Sequence, residues 1–94
     1  MPKYFEFKIY GYYLYFTSLC VVECFHAHAS DRSLTESGSA KFFIKENGDT
    51  IVQKRGVLTD IEINRIQEFI KDNYLIMFEK WSGRSEHGFY GENK

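Results

Sequence analysis

Alternating apolar and polar residues predict several short strands in the first half of the chain. Between residues 5 and 9 apolar side chains alternate with charged ones, and a second aromatic run follows Gly11. A period of two is typical of a strand with one buried face. We therefore expect a hairpin over residues 4–16 with its turn at Gly11, and a third strand over residues 21–29.

A second hairpin is predicted over residues 40–54. Ala40, Phe42 and Ile44 are expected to point inward and the lysines of the same segment outward, and the Asn-Gly-Asp sequence at residues 47–49 is a strong turn signal. Residues 30–39, which precede this hairpin, contain almost nothing to bury. We therefore expect a mobile loop there.

The second half of the chain carries the clearest pattern, that of an amphipathic helix. Thr59 and Glu62 have the spacing of a capping box, and Leu58 with Ile63 has the spacing of a hydrophobic staple. Apolar residues then recur at helical spacing on one face. They are Ile63, Ile66, Ile70, Tyr74, Met77 and Trp81. A break near Asn73 stays open as an alternative, because asparagine often ends helices.

Together these elements predict an α+β fold in which an antiparallel sheet of four to five strands packs against a C-terminal helix. The sheet would consist of two hairpins and a central strand. A chain of 94 residues has room for one core. We expect residues 1–82 to form that domain and residues 83–94 to be a flexible tail, since the sequence after Trp81 is polar and rich in glycine.

The charges and cysteines argue against several classes of protein, namely nucleic-acid binders, membrane-anchored proteins and secreted proteins. Twelve basic and thirteen acidic residues give a formal charge of −1 without a block of like charge, which argues against a dedicated nucleic-acid binder and a polybasic membrane anchor.

The apolar run at residues 12–22 is too short to span a bilayer, and Glu6 and Glu23 argue against a signal peptide. Cys20 and Cys24 would lie roughly 13 Å apart in an extended segment, too far for a disulfide. We therefore expect a cytoplasmic protein.

The most distinctive candidate site is a strand that carries two histidines. Side chains alternate between the faces of a strand, so Cys24, His26 and His28 are expected on one face. Two such imidazoles can chelate a divalent metal such as zinc, which needs three or four ligands. Cys24, Asp31 in the following loop and Glu6 from a neighbouring strand are candidates to complete the set.

Other uses of the same histidines stay open. An imidazole can act as a general acid or base, or as a pH-responsive or ligand-contacting group. A His-x-His pair on a sheet face is also often structural, either as polar surface or with one ring held by a hydrogen bond. We assign binding to His26, His28 and Asp31, and we assign no residue a catalytic role.

Three segments resemble a family of small bacterial proteins, the domain-of-unknown-function family numbered 4160. They are Glu-Cys-Phe-His-Ala-His-Ala at residues 23–29, Ser-Ala-Lys-Phe-Phe at residues 39–43 and Phe-Glu-Lys-Trp at residues 78–81. The family typically shows Glu-Pro-x-His-Val-His before an Ala-Lys-Phe-Trp strand, and a helix closing on Glu-x-Trp. Cys24 replaces the family's proline here, and Phe43 its tryptophan. The resemblance covers about residues 4–81.

Two functional hypotheses lead, and the pH-responsive or ligand-contacting role of the histidines stays open beside them. The resemblance implies a gene in a small operon beside another short protein, and therefore a toxin–antitoxin-like or partner-binding role. In the leading hypothesis the chain is a non-catalytic module that binds a small protein, with a homodimer as a further option, through an exposed sheet edge or the face bearing His26 and His28. The alternative is a metal-dependent hydrolase or nuclease-like enzyme in which these histidines hold a divalent ion that activates water.

Overall fold

The fold is a four-stranded sheet with one helix. The computed structural model describes residues 3–16, 24–30, 38–85 and 88–90. The elements within them are β1 (Tyr13–Tyr15), β2 (His26–Ser30), β3 (Ala40–Ile44), β4 (Thr50–Lys54) and α1 (Asp60–Ser82). The strands pair antiparallel in chain order. The expected α+β fold is therefore confirmed.

A tight turn precedes β1, as the first predicted hairpin required. Ile9 and Tyr12 exchange two backbone hydrogen bonds of 2.7 and 3.1 Å around Tyr10 and Gly11. Both central residues have positive φ, 52° for Tyr10 and 91° for Gly11, which is the geometry of the turns that match the twist of a hairpin.

The first arm of this hairpin is not a regular strand, so the prediction over residues 4–16 is wrong for that half. Residues 5–8 leave the sheet, and the rings of Phe5 and Phe7 pack on Phe69 of α1 at centroid distances of 5.2 and 6.4 Å. The aromatic side chains of this segment therefore pack on the helix and not on a neighbouring strand. A local pattern does not show which neighbour buries it.

The start of the chain instead covers the outer side of β1. The backbone N–H of Tyr4 donates to the carbonyl oxygen of Leu14 at 2.8 Å, and Lys3 forms an antiparallel bridge with Tyr15. Since the other side of β1 pairs with β2, this strand has neighbours on both sides.

The strand with the histidines begins later than predicted. Cys24 and Phe25 lie in a bend before β2. Residues 21–23 of the predicted strand, and residues 31–37 of the predicted loop, lie outside the described residues.

The core lies between α1 and one face of the sheet. Cross-strand pairing places Leu14, Ala29 and Ala40 in one row on this face, with Ala27 and Phe42 in the next row. All five are fully buried, and they form one cluster with the apolar face of α1. The three alanines leave space for the large helix side chains, in keeping with the dense packing of protein interiors.

The start of α1 follows the sequence prediction. Thr59 Oγ1 accepts a hydrogen bond from the Glu62 backbone N–H at 3.2 Å, and Glu62 Oε1 accepts one from the Thr59 N–H at 2.9 Å. The capping box is therefore complete. The flanking Leu58 and Ile63 are both buried, as a hydrophobic staple requires.

The helix is continuous through residue 73, so the alternative with a break there is wrong. The side chain of Asn73 donates to the carbonyl oxygen of Phe69 at 2.9 Å. This amide shares the carbonyl four residues earlier, which is also the acceptor for a helical N–H, and the helical backbone continues past it. The helix ends at Ser82, followed by Gly83 as its C-cap.

Three residues of the segment expected to be a tail pack on the domain. The N–H of Phe25 donates to the carbonyl oxygen of Gly88, and the N–H of Tyr90 donates to that of Ile44, both at 2.8 Å. The ring of Phe89 stacks on Phe78 at 4.2 Å. Residues 88–90 therefore close the end of the sheet where β2 and β3 meet the last turns of α1.

Candidate functional site

His26 and His28 point into the same space from β2. Their ring centroids lie 5.1 Å apart, with the planes nearly perpendicular at 86°. Both side chains are buried, and His28 keeps only 7% of its surface exposed. The two imidazoles are therefore part of the interior of the protein and do not themselves form a contact surface.

The ring of His26 is held by polar and aromatic contacts. Its Nδ1 lies 2.7 Å from the carbonyl oxygen of Cys24. A carbonyl oxygen only accepts, so Nδ1 carries a proton, and in the neutral ring Nε2 carries the lone pair. Trp81 and Phe43 lie edge-on to the imidazole at centroid distances of 5.3 and 5.6 Å.

The ring of His28 lies on a tyrosine. Tyr15, its partner across β1 and β2, stacks on it with centroids 5.2 Å apart and planes at 27°. The Tyr15 hydroxyl is within 2.8 Å of Ser39 Oγ, and both residues are buried. A buried hydroxyl that has a hydrogen-bond partner stabilises the site and fixes the ring that supports His28.

The predicted ligand set is not assembled among the described residues. Cys24 precedes β2 and lies in a bend, so the alternation of a strand does not place it beside the histidines. Asp31 lies outside the described residues. Glu6 is described and exposed, but in residues 3–16, 24–30, 38–85 and 88–90 no three His, Cys, Asp or Glu side chains form a group able to hold a metal ion.

The face that bears the histidines continues across the sheet as an apolar row. His26 pairs with Phe43, and Phe43 pairs with Ile51 of β4. Tyr90 stacks on Phe43 with centroids 4.8 Å apart. Exposure rises along the row, from the buried His26 to Ile51 at 39% and Tyr90 at 38%. The accessible part of this face is therefore the end formed by Phe43, Ile51 and Tyr90, which we call the apolar end.

Sequence reasoning missed this apolar end. The alternation in Thr50–Lys54 places Ile51 on the opposite face from Val52, which was a usable signal for an exposed isoleucine. Tyr90 had no such signal, because it lay in the segment expected to be a tail.

The outer edge of β4 is open in the described part of the chain, where no strand lies beyond it. Lys45 N–H donates to the Asp49 carbonyl oxygen at 2.8 Å, so the Asp49 carbonyl points toward β3. Backbone groups alternate in direction along an antiparallel strand. The backbone N–H and C=O groups of Ile51 therefore point toward β3, and those of Thr50 and Val52 point outward, away from β3.

A groove of about 900 Å³ lies between β4 and α1, beside this open edge. Its walls carry uncharged polar side chains, including Thr50, Asn64 and Gln67, and charged side chains of both signs, including Glu68 and Lys71. Gln67 donates to Thr50 Oγ1 at 2.8 Å and so holds the helix to the strand. The open edge is thus flanked by a polar groove on the helix side and by the apolar end on the other side.

An ion pair fixes the turn at the end of this groove. Lys71 Nζ lies 2.5 Å from Asp49 Oδ1, and both side chains are about half exposed. The hydrogen bond and the positive charge of Lys71 lower the pKa of Asp49. The ring of Tyr74 lies where a side chain on Gly48 would be, 2.7 Å from the position of a Cβ atom. These contacts hold the turn between β3 and β4 against the helix.

Comparisons with protein-family models, with curated proteins and with solved structures gave no match. The resemblance to the family numbered 4160 therefore stays a prediction. Among the described residues, no helix combines the length and apolar character needed to cross a bilayer.

Proposed function

We propose that this protein is a small cytoplasmic interaction module that binds an extended segment of a partner protein along the outer edge of β4. The observation that carries the proposal is the open edge itself, whose outward groups on Thr50 and Val52 have the spacing that an added strand satisfies. By contrast, the opposite edge of the sheet is covered by Lys3 and Tyr4.

The two flanks of the edge set the chemistry of the partner segment. Side chains of an added strand alternate between the two faces of the sheet. One set would lie beside Ile51 and the rest of the apolar end, and the other set would lie over the groove lined by Asn64 and Gln67. The proposed partner segment therefore alternates apolar residues with polar residues that can hydrogen-bond to the groove.

The histidines keep a supporting role in this proposal. The ring of His26 packs against Phe43, which in turn carries Tyr90. The sheet face that bears His26 and His28 is thus part of the binding surface through its exposed end. A toxin–antitoxin-like pair, with the partner encoded by the neighbouring gene, is the specific form of the function that we propose.

The proposal is tested by mixing the protein with the product of the neighbouring gene and measuring the complex by size-exclusion chromatography. A Val52→Pro variant removes an outward N–H without removing a hydrogen bond to β3, and proline is tolerated on edge strands. A Val52→Ala variant is the matched control, because it shortens the same side chain and keeps the N–H.

We expect a complex with the wild type and with Val52→Ala, and none with Val52→Pro. Circular dichroism establishes that all three are folded. No complex with the wild type at micromolar concentrations, or an equally strong complex with Val52→Pro, contradicts the proposal.

A further inference from the structure

The open edge of β4 is complementary to itself. In an antiparallel pair of two copies, the outward groups of Thr50 in one copy meet those of Val52 in the other. Ile51 then lies directly opposite Ile51 of the second copy, in a pair without mutual hydrogen bonds, where side chains approach most closely. Both isoleucines lie on the same face, since the twofold axis runs perpendicular to the sheet.

This register places compatible residues opposite each other. Asp49 faces Gln53 of the second copy, so no like charges meet within the paired segment. The antiparallel arrangement also brings Glu46, near the start of the strand, toward the end of the strand with Lys54 of the second copy, whereas Asp49 and Arg55 keep Lys71 and Asp60 of their own copy as partners. The apolar ends of the two copies join across the axis, because each Ile51 adjoins its own Phe43.

An irregularity in β4 selects this register over its neighbour. The pairing with β3 shifts between Lys41 and Phe42, which leaves Gln53 as an extra residue between Val52 and Lys54. A bulge bends a strand and disrupts its pairing. A register centred on Val52 would need Gln53 to pair with Ile51 of the second copy, whereas a register centred on Ile51 uses the regular residues Thr50, Ile51 and Val52.

We infer that, in the absence of a partner, a second copy of this chain pairs with β4 and makes one continuous eight-stranded sheet. Under the proposed function, the partner segment displaces this second copy, so self-association regulates access to the binding edge. That displacement rests on the proposed function, whereas the dimer rests on the complementarity of β4 alone.

The mass in solution tests the dimer directly. Light scattering coupled to size-exclusion chromatography of the full chain is expected to give twice the 11.1 kDa of one chain across the micromolar range. Ile51→Lys places two lysines opposite each other and is expected to weaken the dimer about tenfold or more. Leu75→Lys is the control, because Leu75 is an exposed apolar residue that lies on α1 and not on the pairing strand. A monomeric wild type, or a dimer that Ile51→Lys leaves unchanged, overturns the inference.

Cross-linking tests the register. In a background with serine at both native cysteine positions, Ile51→Cys places two thiols opposite each other, with Cα atoms about 4.5 Å apart, which is within disulfide range. Gln53→Cys is the control, since its symmetry mate is four residues away along the strand. Diamide is expected to cross-link the first variant and not the second. Equal cross-linking of both variants, or none of the first, overturns the register.

The results separate this inference from the proposed function. A dimer that forms no complex with the neighbouring gene product supports the inference and contradicts the proposed function. A monomer that forms such a complex does the reverse.

Discussion

Replacing Gly56 by alanine should destabilise the protein far more than the same change at Gly11. Both glycines have positive φ, 58° and 91°, which costs an alanine about 1–2 kcal/mol. They differ in the space around them. A Cβ atom at Gly56 would lie 2.5 Å from the carbonyl oxygen of Gly38 and 2.6 Å from the backbone of Ser39, whereas at Gly11 nothing lies within 4 Å.

The difference between the two variants isolates the close approach at Gly56. The entropy that alanine removes from the unfolded chain is the same at both sites. Forcing a methyl group into backbone atoms typically costs about 1–3 kcal/mol, so Gly56→Ala should lose about 2–5 kcal/mol in total and Gly11→Ala about 1–2 kcal/mol. The φ of Gly11 is farther than that of Gly56 from the left-handed helical value of about 57°. Backbone strain in the alanine variant is therefore at least as large at Gly11, and it does not explain a greater loss of stability at Gly56.

Urea unfolding followed by the fluorescence of Trp81 measures both values, since it is the one tryptophan and is buried in the core. Thermal unfolding is a second assay, in which 1 kcal/mol corresponds to about 4–8 °C for a domain of this size. Equal losses of stability in Gly56→Ala and Gly11→Ala would show that the chain does not pass Gly56 as closely as the structure indicates, and the reasoning would fail.

Three further predictions test other contacts. Hydrogen bonds from the Thr59 N–H and, to a lesser extent, the Tyr12 hydroxyl lower the pKa of Glu62, so its contribution to stability is present above its usual pKa and is lost as the pH falls below it. Glu62→Gln should therefore reduce the loss of stability between about pH 6 and pH 3, measured by urea unfolding at each pH. An unchanged dependence of stability on pH would contradict the assignment. Tyr10→Asn should raise the melting temperature, because Tyr10 is exposed and asparagine accepts positive φ more readily; a lower melting temperature would count against the turn geometry. Phe89→Ala should lower the free energy of unfolding by about 2 kcal/mol, whereas Leu75→Ala on the exposed face of α1 should change it by less than about 0.5 kcal/mol; similar values for the two would contradict the packing of residues 88–90.

The elements whose signals are local were predictable from the sequence. The capping box of Thr59 and Glu62 lies within four consecutive residues, and the turn at residues 47–49 within three. Both appear in the structure as expected. The break expected near Asn73 does not occur, because the preference of asparagine for helix ends is weak and the buried Ile70 and Met77 hold the helix on both sides of it.

Features that depend on distant residues were not predictable in this way. The alternation of His26 and His28 indicated a shared face, but their burial depends on residues far along the chain, such as Trp81. Likewise, nothing near Phe7 indicates that its ring packs on Phe69. Hydrophobic periodicity in the sequence indicates that one face of an element is buried, but it does not indicate which other element buries that face.

The cover that Lys3 and Tyr4 provide for β1 limits how far edge-to-edge association can go. Among the described strands only β4 has an open edge, and a sheet with one open edge forms closed pairs, since the second edge needed for continued growth is occupied by its own chain. A molecule deprived of its first four residues would offer two edges, and each added copy would present another. We therefore expect the N-terminal segment to restrict the proposed pairing through β4 to closed dimers, and its removal to permit growth into longer assemblies.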